Sequence, residues 1–190
     1  MPEYRRPGVT GATIFFTVNL ADRDGDLLVR HVDLLRDAVR ATRAERPFGI
    51  EAWIVLPDHL HCIWTLPAGD ADYSTRWGAI KARFTRRLRA RLEEIRRPGF
   101  SPGFPTDMPA VPSGRFAGLK PGLRHHKREC AVWQRRFYEH HIRDEADFAA
   151  HLRYCWMNPV KHGYVGRPED WRLSSVHGDA RYRAGMDLTP

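Results

Sequence analysis

The chain has 190 residues, 42% of them hydrophobic, which is enough for one core and short for two full domains, so a single domain over 1–190 is expected. No apolar run approaches the ~18 residues of a membrane-spanning helix, and the N-terminal MPEYRRPGVTG has no apolar stretch after its arginines. Cys62, Cys130 and Cys155 are odd in number and form no CxxC pair, so a disulfide framework and a zinc knuckle are both unsupported and a reducing cytoplasm is the expected setting. The formal net charge of +8 comes from arginine rather than lysine. Arginine's planar fork suits phosphate contacts, but a GC-rich genome also raises arginine, so charge alone does not establish a nucleic-acid partner.

In chain order, ATIFFTVNL at 12–20 combines β-branched and aromatic residues after a glycine and predicts a buried strand. From His31 to Glu45 the apolar Val32, Leu34, Leu35, Ala38, Val39 and Ala41 recur at helical spacing, and Pro47 follows. Phe48 to Leu66 is apolar except at Pro57-Asp58, a turn-forming pair between two extended arms, which predicts a hairpin. A second helix is predicted over Tyr73 to Ile95, with Trp77, Ile80, Phe84, Leu88 and Leu92 on one face and Arg76, Lys81, Arg83, Arg86, Arg87, Arg89 and Arg91 on the others.

Residues 97–123 are rich in Pro, Gly and Ser without a period and predict an irregular insertion, followed by the basic run 124–128. A short strand is expected near Val132. A third helix is expected from the capping residue Asp144 through Phe148, Leu152 and Cys155, stopped by Pro159. This order implies an antiparallel sheet with packed helices, an α+β domain.

The sharpest local feature is Pro57-Asp58-His59-Leu60-His61-Cys62. Successive side chains of a strand point to opposite faces, so His59 and His61 share one face and form half of a metal site; they are also consistent with two ordinary histidines at a strand start. In Tyr154-Cys155-Trp156-Met157-Asn158-Pro159, the tyrosine and asparagine lie four apart on one helix face. An amide oxygen from Asn158 would complete a mixed nitrogen and oxygen set with the histidines, suited to Mg²⁺ or Mn²⁺. The plainer alternative is that Tyr154 packs in the core and Asn158 caps the helix. Tyr138, in Arg135-Arg136-Phe137-Tyr138, is a second candidate nucleophile by virtue of its basic neighbours. His140, His141, His151 and His162 are read as polar surface or structural residues.

FFTVNL, AWIVLPDHLHCIWTLP, YSTRWGAIKARFT, VWQRRFYEHHIRDEADF and YCWMNPVKHGYV, taken in order, resemble the REP-associated tyrosine transposases of bacteria, single-strand DNA transposases of the HUH type related to those of insertion sequences. The resemblance covers roughly residues 4 to 171, with the insertion at 97–128 left out. It implies a ferredoxin-like α+β fold with the histidine pair on a central strand. It further implies that His59, His61 and Asn158 ligate a divalent metal, that Tyr154 attacks the scissile phosphate to form a 5′-phosphotyrosine link, and that hairpins of repetitive extragenic palindromes are the substrate. Arg5 and Arg6 match a family region that contacts DNA beside the hairpin. Further DNA contacts are expected from Arg83, Arg86, Arg87, Arg135, Arg136 and Lys161.

Such relatives work as monomers or homodimers. Tyrosine, with an ordinary pKa of about 10, needs activation for this attack. Keeping the broken end on the protein preserves the bond for rejoining, and no nucleotide cofactor is needed. Two other readings remain: a non-enzymatic single-stranded nucleic-acid-binding module of the same fold, and an HUH replication initiator or relaxase. In relaxases the tyrosine typically precedes the histidines.

Overall fold

The computed structural model describes residues 8–96 and 132–185. The insertion at 97–128, with its basic run, therefore lies outside the described residues, as do Arg5, Arg6 and Cys130. The first strand, β1, is Thr13–Asn19, and the hairpin is β2, Gly49–Val55, with β3, His59–Thr65. Between β1 and β2 come a short helix α1, Leu27–Arg30, and the amphipathic helix α2, Val32–Glu45. Helix α3 spans Tyr73–Ile95, capped by the Asp72 side chain, which accepts from the Thr75 N–H. After the insertion come β4, Tyr138–His141, and helix α4, Glu145–Lys161, and a short helix α5, Ala180–Arg183, lies near the C-terminal end.

The sheet is antiparallel with order β2-β3-β1-β4, the split β-α-β arrangement of ferredoxin-like domains, and β3 is a central strand. The two faces of the sheet serve different ends. On one, Phe16 and Trp64 meet Trp77 of α3, with the Trp64 and Trp77 rings stacked at 4.3 Å. On the other, Phe15 and the histidines of β3 face α4, which crosses β2 and β3. The outer edge of β2 is covered by the C-terminal segment. Val55 N–H donates to Leu173 O, Trp53 N–H to Ser175 Oγ, and Trp171 Nε1 to Val55 O. This covering removes an edge that would otherwise be open to pairing with another chain.

Two expectations need correction. Pro159 does not stop α4; the helix carries it inside and ends at Lys161. So close to the end of the helix a proline forfeits only one backbone bond, and the following turn is held by His162 N–H to Asn158 O and Tyr164 N–H to Pro159 O. The chain then leaves through Gly163 at φ 71°, a left-handed conformation that glycine adopts without a side-chain clash. The strand expected near Val132 is a single bridge between Trp133 and Leu20, and the strand proper lies further on at β4. Among the described residues no helix is long and apolar enough to cross a membrane.

Candidate active site and nucleic-acid interface

The period of two along β3 sends Leu60 and Cys62 into the α2–α3 core and brings His59 and His61 out toward α4. Both imidazoles are buried, at 4% and 2% exposure, with ring centroids 4.9 Å apart. Each is held through Nδ1. His59 Nδ1 lies 2.6 Å from Asp58 Oδ1, and because a carboxylate only accepts, the proton sits on Nδ1 and Nε2 keeps its lone pair. His61 Nδ1 lies 2.8 Å from Thr17 Oγ1 of the neighbouring strand, and with the hydroxyl accepting, its Nε2 is free in the same way. Asp58 is itself anchored by Arg23 Nε at 2.5 Å, and Arg23 reaches Asn19 Oδ1 at 3.1 Å. Burial opposes the Asp58 charge, but the hydrogen bonds from His59 and Arg23, with the Arg23 charge, outweigh it and hold the carboxyl below its usual range.

Helix α4 supplies the opposing wall. The Tyr154 ring stands edge-on to His61 at 5.1 Å and 74°, and it is 42% exposed. One turn on, Asn158 is buried, and neither its amide oxygen nor its nitrogen has a hydrogen-bond partner. His61 Nε2 is also buried without a partner of hydrogen-bond geometry, although Asn158 lies near enough to raise the His61 pKa against the effect of burial. Orphaned polar atoms of this kind cost about 1 to 3 kcal/mol each unless something satisfies them. Burial, then the neighbouring His59 and His162, push His61 down to about 3, so it is neutral at physiological pH and available as a lone-pair donor. The donor set of two imidazole nitrogens and an amide oxygen fits a small divalent cation that keeps open positions for other oxygens.

Lys161, a further turn along, places its Nζ 5.5 Å from the Tyr154 ring centroid. His162 stands 5.4 Å from His59 and is backed by Tyr164 and Trp171 in a stacked series. On the other side of Tyr154 an open groove of about 460 Å³ is lined by Phe15, Thr17, Tyr138, Ala150, His151 and Tyr154.

A REP-associated tyrosine transposase of Escherichia coli (strain K12) is 40% identical over 179 residues, which cover 94% of this chain and 85% of that relative. The chain belongs to the REP-associated tyrosine transposases. A relative from Haemophilus influenzae is 36% identical over 181 residues, covering 95% of this chain and 89% of its own. The solved structure of a REP-associated tyrosine transposase bound to a REP hairpin superposes with a TM-score of 0.72 at 38% identity, covering all of this chain and 94% of that one. That likeness agrees with the α+β fold described above. No family model matches the chain.

The basic residues expected at the DNA interface of this transposase separate into two sets. Arg135 and Arg136 are exposed just before β4, and Lys161 is exposed beside Tyr154. Arg83 and Arg87 lie in the other helical layer. Arg83 binds Thr42 Oγ1 at 2.8 Å and both oxygens of Glu45 at 2.5 Å, and Arg87 lies 3.6 Å from Asp37. They extend a ladder between α2 and α3 that Arg91 continues to Asp33, while Arg86 is exposed on α3.

The roles of Thr17, Asp58 and Asp147 escape notice in the sequence, whereas His140 and His151 read there as polar surface or structural residues. Thr17 and Asp58 orient the histidines, and neither residue type signals such a role. His140, Asp147 and His151 bring ligand atoms within 4.8 Å of one another, a group that could hold a metal. Here Arg143 already binds Asp147 at 2.9 Å, and with His140 it holds the Asp147 carboxyl well below the carboxylate range, so the cluster pins β4 to the start of α4. The i, i+4 spacing of Asp147 and His151 was the one visible sign.

Proposed function

We propose that the chain is a metal-dependent single-stranded DNA endonuclease and strand transferase acting on hairpins formed by repetitive extragenic palindromes. In this reading one domain spans the chain, with 97–128 as an insertion. Tyr154 is the nucleophile, and His59, His61 and Asn158 hold Mg²⁺ or Mn²⁺. The observation that carries it is the meeting of Tyr154, edge-on to His61, with the unpartnered buried atoms His61 Nε2 and Asn158 Oδ1. The structural relative bound to a REP hairpin supports the substrate class.

When bound, the cation neutralises charge on the phosphate and orients it. The Tyr154 oxygen forms a bond to phosphorus as the bond to the 3′-oxygen breaks; the phenol loses a proton and the departing 3′-oxygen gains one. The products are a 5′-phosphotyrosine and a free 3′-hydroxyl. One phosphoester replaces another, so the reverse step can rejoin strands without a nucleotide cofactor. Asp58 and Thr17 keep the two imidazoles in the orientation and tautomer that leave Nε2 available. The Lys161 ammonium, above the Tyr154 ring, meets a phosphate arriving there.

The test is incubation with labelled palindromes of the source genome, in both strand polarities, with Mg²⁺ or Mn²⁺. A covalent adduct mapped to Tyr154 is the expected result. Binding without cleavage or adduct for any hairpin would instead favour the non-enzymatic binding module. Cleavage and rejoining confined to a site outside such hairpins would favour a replication initiator or relaxase.

A further inference from the structure

We propose that Tyr138, braced by the buried Phe15, is a stacking subsite for one unpaired nucleobase of the strand whose phosphate meets Tyr154. The proposal rests on the role given to Tyr154 above and extends it to the placement of the neighbouring nucleotide. Among the described residues the exposed large hydrophobics are Val9, Ile95, Tyr138 and Tyr154, and of these only the two tyrosines line the groove. Tyr138, 56% exposed, starts β4 opposite Thr17 of β1. Phe15, nearly fully buried, is the floor between them. Its ring meets Tyr138 edge to face at 6.3 Å and 68°, and Tyr154 at 5.8 Å and 81°. Both tyrosine rings therefore stand steeply on one aromatic floor, each braced by it.

The chemistry of the lining selects the occupant. None of the six lining residues is Lys, Arg, Asp or Glu, so no permanent charge lines the groove. Cationic groups sit outside it: Arg135 and Arg136 are exposed three and two positions before Tyr138, and Lys161 stands over Tyr154. This pairing of a largely aromatic cleft with flanking cations matches a nucleotide, with its base inside and its phosphates outside. The volume of about 460 Å³ is within the range of small-molecule sites, ~300 to 1,000 Å³. His151 contributes a polar edge to the groove: its Nδ1 is engaged by the Asp147 carbonyl at 2.8 Å, leaving Nε2 as its remaining polar atom. A base within a duplex has both faces covered by its neighbours, so only an unpaired base can stack here.

The test is a coupling cycle between Tyr138 and each nucleotide beside the cleaved bond. Full-length wild type, Tyr138→Ala and Tyr138→Phe are titrated by fluorescence anisotropy with hairpin oligonucleotides of the source genome, intact or carrying one abasic site at successive positions. Adduct formation is read separately on denaturing gels. One abasic position should weaken wild-type binding about 5- to 150-fold, the span that base stacking supplies. Tyr138→Ala should weaken binding of intact DNA by a similar factor, the two losses should not multiply at that position, and Tyr138→Phe should bind as wild type does. Losses that multiply at every position, undiminished binding by Tyr138→Ala, or an adduct on Tyr138 would each overturn the subsite. Wild-type adduct at Tyr154 without Tyr138 coupling would remove the subsite alone. Coupling without any adduct would keep the subsite and remove the nucleophile.

Discussion

The imidazole of His61 is held on one side by the Thr17 hydroxyl, 2.8 Å from Nδ1, across two paired strands. The contact makes Thr17 a positioning residue: it fixes the ring so that Nε2, which lacks a partner in the folded chain, points away from β1. Thr17→Val keeps the shape and removes the hydroxyl. Its Mn²⁺ affinity, read by isothermal titration calorimetry, should fall about 10- to 100-fold, the usual effect of losing an outer partner of a metal-bound histidine. Unchanged affinity would mean that Thr17 does not orient His61.

Tyr154→Phe removes one oxygen from a side chain that is 42% exposed, so thermal stability should stay within about 0.5 kcal/mol of wild type. Hairpin binding should persist while cleavage and the covalent adduct vanish. The measurement is a denaturing gel with labelled DNA, followed by mass spectrometry of the linked peptide. An adduct that survives the substitution would assign the attack elsewhere.

Burial, with the nearby His59 and His162, depresses His61 to about 3 from an ordinary 6.5. The unfolded chain therefore binds a proton that the folded chain refuses between those values. The contribution of a neutral His61 is fully present above pH 6.5 and is lost as pH falls toward 3, by up to about 1.4 kcal/mol per pH unit. His61→Gln cannot titrate, so denaturant unfolding of metal-free protein from pH 7 to 4 should fall less steeply for the variant. His31, His141 and His162 are also lowered, each first by burial, and act in the same direction in both proteins, so the difference reports His61 together with its coupling to His59 and His162. Parallel curves would reject its buried, neutral state.

A cation that joins His61 Nε2 to Asn158 would bind the folded chain and not the unfolded one. Mn²⁺ at 100 times its dissociation constant should stabilise wild type by about 2.7 kcal/mol. The same Mn²⁺ should do little for Asn158→Leu, which removes both unpartnered amide atoms. Equal stabilisation of both proteins, followed by calorimetry, would place the ion elsewhere, with His140, Asp147 and His151 the next group to test.

Arg83 and Lys161 should behave in opposite ways. Arg83→Ala strips partners from Thr42 and Glu45 and should lower stability by about 1 to 2 kcal/mol, with the salt dependence of DNA binding unchanged. Lys161→Ala should leave stability near wild type and reduce the slope of log affinity against log salt by ~0.7. A reduced slope for Arg83→Ala would return that arginine to the interface.

Most of the elements, and the pairing of candidate side chains on them, are local properties that the sequence determined; β4 and the end of α4 are among the exceptions. Alternation along β3 sets His59 and His61 on one face, and the helical period sets Tyr154 and Asn158 on one face of α4, because each depends only on residues a few positions apart. Contacts between distant segments were decided by the tertiary structure. Thr17 reaches His61 across 44 positions and Arg83 reaches Thr42 across 41, each through a register or helix packing that no local period encodes. For the same reason the sequence shows Tyr138 only as part of a basic stretch, and it is the pairing of β4 with β1 that sets it beside Phe15. An arginine on a polar helix face reads alike in sequence whether it meets DNA or a glutamate on the next helix, because only the packing of α3 against α2 supplies the partner.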